Sequence, residues 1–156
     1  MSAPYVHLLL NHVPVLGTIF GLLLLSLGAL RQSEEMKRLS LLVFALMGLS
    51  VAPVYMSGER AEEVVEDLPG VLESVIEEHE DSATVSAIGA GLLGALSLWG
   101  LWAFRGQRSL PGRLTTSVLV VSLAVAVLMA RTAQLGGRIV HQEVRKGFVP
   151  PVENPR

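Results

Sequence analysis

MSAPYVHLLLNHVPVLGTIFGLLLLSLGAL, residues Met1 to Leu30, contains no charged side chain. A helix needs about 20 apolar residues to cross roughly 30 Å of hydrocarbon, and this stretch is long enough. It lacks the basic leader of a secretory signal, and its apolar part, Val13 to Leu30, is longer than a signal core, so it reads as an uncleaved first span. Leu39 to Gly58, Ser82 to Phe104 and Leu114 to Ala130 are also free of charge. The chain therefore reads as all-α, an integral membrane four-helix bundle. It forms a single domain over 1–156, with spans near 8–30, 39–57, 82–104 and 114–135. Gly17, Gly21, Gly28, Gly89, Gly91 and Gly94 recur through these runs, and small residues let membrane helices approach closely.

Composition agrees. Hydrophobic residues make up 51% of the chain and charged ones 17%, against roughly a quarter charged in soluble domains. The net charge of −2 argues against a nucleic-acid partner, which asks for a broad basic footprint. With no cysteine, the chain cannot form a disulfide, a thiolate metal site, an iron–sulfur cluster or a thioether-linked haem. Any metal or haem must be held by histidine, carboxylate or methionine.

The connections Arg31–Arg38 and Arg105–Arg113 are short, so they share one face of the membrane. They carry Arg31, Lys37, Arg38, Arg105, Arg108 and Arg113 against Glu34 and Glu35. By the positive-inside tendency that face is cytoplasmic, placing both termini outside a bacterial inner membrane. Arg131, Arg138, Arg145 and Lys146 fall on the outer side and weaken the bias. Trp99, Trp102 and Phe104 fit the inner interfacial belt.

The outer face also receives 59–81, with ten acidic residues and one arginine. Ala61, Val64, Val65 and Leu68 recur at helical spacing, as do Leu72, Val75, Ile76 and His79. The pattern predicts two short amphipathic helices between spans two and three, split at Pro69-Gly70, with Asp67 capping the second. They are expected to lie along the membrane surface as a roof over the bundle. A polar C-terminal tail follows from 138 to 156.

Under this topology His7, His12, His79 and His141 all reach the outer end. His12 enters an apolar helix within Asn11-His12-Val13-Pro14, where a polar side chain needs a partner. His79 closes an apolar stripe and so faces inward. His7 lies five residues before His12, about 140° away on a helix, which keeps the two from one tight site. Each histidine also has an ordinary reading: a solvated interfacial ring, or one bonded to a nearby carbonyl. Arg131 is the only charge inside the fourth span and suits a carboxylate partner such as Glu59 or Glu62, or an anionic ligand. Gly136-Gly137 removes bulk just before His141 and Glu143, where a flat cofactor can approach.

Haem b in a helix bundle needs two imidazoles, apolar walls, small residues and basic groups for its propionates. The sequence supplies these in His12, His79, His141, His7, Arg131, Gly136 and Gly137, with His12 and His79 the first choice as iron ligands. The competing chemistry is a Zn, Cu or Fe ion held by the same histidines with Glu59, Glu62, Glu80 or Glu143. No His-Glu-x-x-His helix, phosphate loop or Ser-His-Asp order occurs, so an electron carrier or subunit is expected rather than a stand-alone enzyme. A cofactor-free accessory subunit, docking a basic partner on its acidic face, is the third reading.

His7, Asn11-His12-Val13-Pro14-Val15, Gly58-Glu59-x-Ala61-Glu62-Glu63, His79-Glu80 and Thr132-Ala133-x-Leu135-Gly136-Gly137-x-Ile139-x-His141-x-Glu143 span nearly the whole chain. Together they resemble a bacterial family of small predicted four-span membrane proteins, catalogued mainly as a domain of unknown function. Some of its relatives are fused to Rieske or c-type cytochrome domains. The resemblance implies membrane electron transfer and brings no ligand set. For an electron carrier of this kind the expected partners are quinol in the membrane and a cytochrome-like or respiratory-complex protein drawn to the acidic outer segment.

Overall fold

Each of the four charge-free runs sits inside one long helix. The computed structural model describes residues 2–145 and gives α1 Ala3–Leu30, α2 Glu34–Val65, α3 Glu73–Ala103 and α4 Gly112–Val140, followed by a 3-10 turn, Gln142–Val144. Part of the expected tail, 146–156 with Lys146, lies outside the described residues.

α1 opens with Pro4 in its first turn, where a missing N–H costs nothing. It ends in a tight turn: Gln32 adopts φ 54° and Ser33 N–H reaches the Gly28 carbonyl at 2.9 Å. Gly28 suits the close approach there, because a Cβ would stand 3.0 Å from the backbone nitrogen of Lys37 on α2. Ser33 then caps α2 by accepting from Met36 N–H, with Glu34 and Glu35 in the first turn favouring the positive end of the helix dipole.

The helices run up and down in sequence. Each packs on its neighbour in the chain, and α1 packs on α4 least extensively. On α3 the positions Ile76, His79, Ala83, Ser86, Ala90, Leu93, Ser97 and Gly100 follow a three-four spacing and turn inward. That spacing produces shallow, coiled-coil-like crossings. α2 and α3 meet closest at Gly48 and Gly94, where a Cβ on Gly48 would lie 2.9 Å from Gly94 Cα and from the Ala90 carbonyl. The core is built of Leu25, Leu41, Phe44, Ala90, Leu93, Leu110, Leu114, Val118, Val125 and Met129. Leu16, Leu23, Leu49, Leu92, Val120 and Val127 stay exposed around the circumference, as lipid-facing side chains do.

The arginine-rich end is tied together. Glu34 accepts from Lys37 Nζ and from Leu110 N–H, both at 2.8 Å, while Arg38 donates to the carbonyls of Phe104 and Gln107. The two short connections therefore share one end of the bundle, as expected. Trp99 packs edge-on to Phe104, and Arg105 lies over Trp102, which suits an interfacial belt.

The outer segment departs from expectation. Its amphipathic stretches are helical, but they are the ends of α2 and α3 rather than a separate roof. Ala61 and Val65 continue the stripe of Val51, Val54 and Gly58 in phase, so nothing stops α2 at the membrane. At 32 residues α2 extends about 48 Å, well beyond roughly 30 Å of hydrocarbon. Only 66–72 connects the helices. Asp67 caps nothing, since the N-cap of α3 is Leu72 and makes no side-chain bond. Leu68 and Leu72, expected to face inward, are about half exposed. α4 also runs on to Val140, so the tail begins later than 138.

Candidate functional site

At the end of the bundle opposite the arginine-rich connections, straddling the limits of the charge-free segments, the four helices together enclose a cavity of about 530 Å³. Its walls are mostly aliphatic. Its polar side chains are His7, Asn11 and His12 on α1, Tyr55, Glu59 and Glu62 on α2, His79, Glu80 and Ser86 on α3, Thr132 on α4, and His141 at the end of α4. The four histidines, far apart in the chain, thus meet at one end of the bundle. His7 and His12 share the cavity despite their angular separation because it is wide enough for them to stand on different walls.

Every ring is oriented through Nδ1. His79 Nδ1 bonds the Thr132 carbonyl at 3.0 Å and His12 Nδ1 the Leu8 carbonyl at 2.7 Å. A carbonyl only accepts, so both nitrogens carry the proton. His7 Nδ1 lies 3.1 Å from Ser57 Oγ. That hydroxyl gives its own proton to the Val54 carbonyl at 2.7 Å, so it accepts from His7. His141 Nδ1 donates to Glu143 at 2.9 Å. In each neutral ring Nε2 is therefore the nitrogen with a lone pair, the arrangement in which metal-binding histidines are held by their surroundings.

Two rings are braced across helix seams by glycine. A Cβ on Gly58 would lie 3.2 Å from His7 Cε1, and one on Gly136 3.0 Å from His79 Cε1. The seam behind His79 is polar: Thr132 Oγ1 donates to the Leu128 carbonyl and accepts from Ser82 and Ser86 at 2.7 and 2.9 Å. Thr132 thus aligns α3 with α4 through its hydroxyl and fixes His79 through its carbonyl. Ser57, Ser82 and Ser86 were not singled out in the sequence. Their role depends on which helix faces which, and a hydroxyl in an apolar helix gives little sign of that.

Glu62 and Glu80 approach each other from α2 and α3, beyond the charge-free segments. A hydrogen bond between the two carboxyls, reinforced by partial burial and by repulsion from Glu80, pushes Glu62 up to about 7. Glu143, exposed at the rim, is held below the usual carboxylate range by its own backbone N–H and by the His141 ring.

Gly136 and Gly137 line the cavity. Arg131 does not; it precedes Thr132 by one position, which turns it to the exposed outside of α4. Arg138 is also absent from the lining, and its carbonyl accepts from Arg145, which bonds the Ile139 and Gly70 carbonyls as well. Arg145 thereby ties the end of α4 to the α2–α3 connection. Among the described residues, no group of three or more His, Asp or Glu side chains converges closely enough to hold a metal ion. No family model, curated protein or solved structure matches the chain.

Proposed function

We propose that the chain is a membrane-bound, b-type cytochrome-like electron-transfer protein in which histidine side chains hold haem b in the outer cavity. The observation that carries this reading is the set of four imidazoles around one apolar cavity, each with Nδ1 committed to an oxygen acceptor. A porphyrin brings four nitrogens of its own and asks the protein for two. This distinguishes it from a bare Zn, Cu or Fe ion, which needs three or four converging protein ligands.

His7 and His79 are the preferred pair, being the two rings braced across helix seams. His12, exposed and bonded only within its own helix, and His141, at the rim, come second. The two glycines behind the preferred rings keep the walls flat. No Lys or Arg among the described residues lines the cavity, so propionates would be left to water at its mouth. A bound haem would supply one-electron exchange, and the protein supplies the ligands, their orientation and the apolar surroundings.

We infer further that the arginine end is cytoplasmic, which places the cavity on the outer side of a bacterial inner membrane. The exposed carboxylates of 59–81 then suit a basic, cytochrome-like partner. Visible absorption of the purified protein, as isolated and after haemin addition, tests the cofactor. A Soret band with sharp reduced bands is expected, lost in His7→Ala and in His79→Ala. Absence of such bands under both conditions overturns the haem reading, and bands unchanged in both variants overturn the ligand pair.

A further inference from the structure

At the outer end, three of the four seams of the bundle are joined by polar bonds. His7 bonds Ser57 across α1–α2, Tyr55 bonds Thr84 across α2–α3, and His79, Ser82 and Ser86 bond Thr132 across α3–α4. Among the described residues no hydrogen bond joins α1 to α4, the neighbouring pair that packs least. Along that seam Leu8 and His12 on α1, and Ala133, Gly137 and Val140 on α4, both line the cavity and are exposed. A Cβ on Gly137 would meet nothing within 4 Å. The seam is a slot, and its flanks are apolar: Leu8 is 59% and Val140 66% exposed.

The chemistry behind the slot is one-sided. His12 and His141, the two rings outside the preferred haem pair, offer Nε2 lone pairs, and Glu59, Glu62 and Glu80 offer carboxylate oxygens. The hydroxyl protons of Ser86 and Thr132 are already committed, which leaves the Asn11 carboxamide and the Tyr55 hydroxyl, itself bonded to Thr84, as the neutral donors against many acceptors. Among the described residues no Lys or Arg lines the walls, so an anionic phospholipid head finds no counter-charge. A matching ligand has an apolar body to cross lipid, a neutral head and hydroxyl donors.

We propose that the α1–α4 slot is a lateral entrance from the bilayer, and that it admits the head of a membrane-dissolved hydroquinone, an aromatic diol on an apolar tail. His12 stands at the slot and takes one hydroxyl proton as a hydrogen bond at Nε2. The α4 side of the slot is kept low by Ala133 and Gly137. This inference concerns entry and head-group recognition and does not depend on haem.

The test is calorimetric titration of the full chain in phosphatidylcholine nanodiscs with an n-decyl benzohydroquinone, kept anaerobic, and with the matching benzoquinone. The diol is expected to bind roughly tenfold tighter or more, because quinone carbonyls cannot donate to the acceptors that dominate the walls. His12→Ala is expected to weaken the diol roughly tenfold, one hydrogen bond's worth. Ala133→Phe and Gly137→Leu, which fill the slot from the exposed side, are expected to abolish binding. Equal affinity of the wild-type chain for diol and quinone overturns the proposal, as does wild-type affinity in both slot-filling variants. The wild-type visible spectrum keeps the two readings apart. A Soret band without discrimination removes the quinol inference alone, and discrimination without a Soret band removes the haem reading alone.

Discussion

Thr132 shows how much of the site rests on groups that do no chemistry. Its hydroxyl holds two serines of α3 while its carbonyl sets the tautomer of His79. Thr132→Val keeps the shape but takes the acceptor from Ser82 and Ser86, at a cost of about 1–3 kcal/mol for buried hydroxyls left unpaired. Thermal unfolding in detergent is expected to show the loss, with Thr132→Ser close to wild type. Glu62 gives a prediction with a sign. Its pKa rises from 4.5 to about 7 on folding, so the folded chain holds a proton that the unfolded chain releases. Its contribution to stability is complete below 4.5 and disappears as pH rises through about 7. The melting temperature is expected to climb as pH is lowered across that window, and Glu62→Gln to flatten the climb. The histidines at this scale were legible as residues that needed partners. The partners were not, because a bond from His7 to Ser57 depends on the rotation of α1 against α2, which hydropathy does not encode.

Among the elements, the four helices were legible from charge alone, since every uncharged run is flanked by charged or turn-forming residues. The roof was misplaced for a physical reason. The inward stripe holds at Ala61 and Val65 and ends with α2, before the half-exposed Leu68; its phase matches Val51, Val54 and Gly58, and a stripe that keeps its phase through Glu59 belongs to one rod. The break at Pro69-Gly70 was real and marks the only interruption between α2 and α3. At the α2–α3 crossing, Gly48→Leu is expected to force the helices apart and cost about 1–3 kcal/mol or more as overpacking. Gly91→Leu, whose Cβ would point into open space, is expected to be near neutral on the same melting assay. The pairing of glycine with glycine at this crossing was visible only as a recurrence of small residues along each helix.

At the level of the whole molecule, the gathering of the four histidines follows from an even number of passes and short connections at the other end, which is why sequence alone could anticipate it. The sidedness is open to direct measurement because the chain has no cysteine of its own. With Glu73→Cys, an impermeant maleimide is expected to label intact spheroplasts. With Gln107→Cys, labelling is expected only after permeabilisation. The reverse pattern would turn the bundle over and place the histidines in the cytoplasmic leaflet. Glu34 and Arg38 give this architecture its mechanics. By riveting both hairpin bends at one extremity, they leave α1 and α4 to part only at the opposite one, where no hydrogen bond among the described residues joins them, as tongs open away from their pivot. Lateral pressure in the leaflet around those jaws therefore bears on how far they part, and membrane thickness becomes a control on the gap.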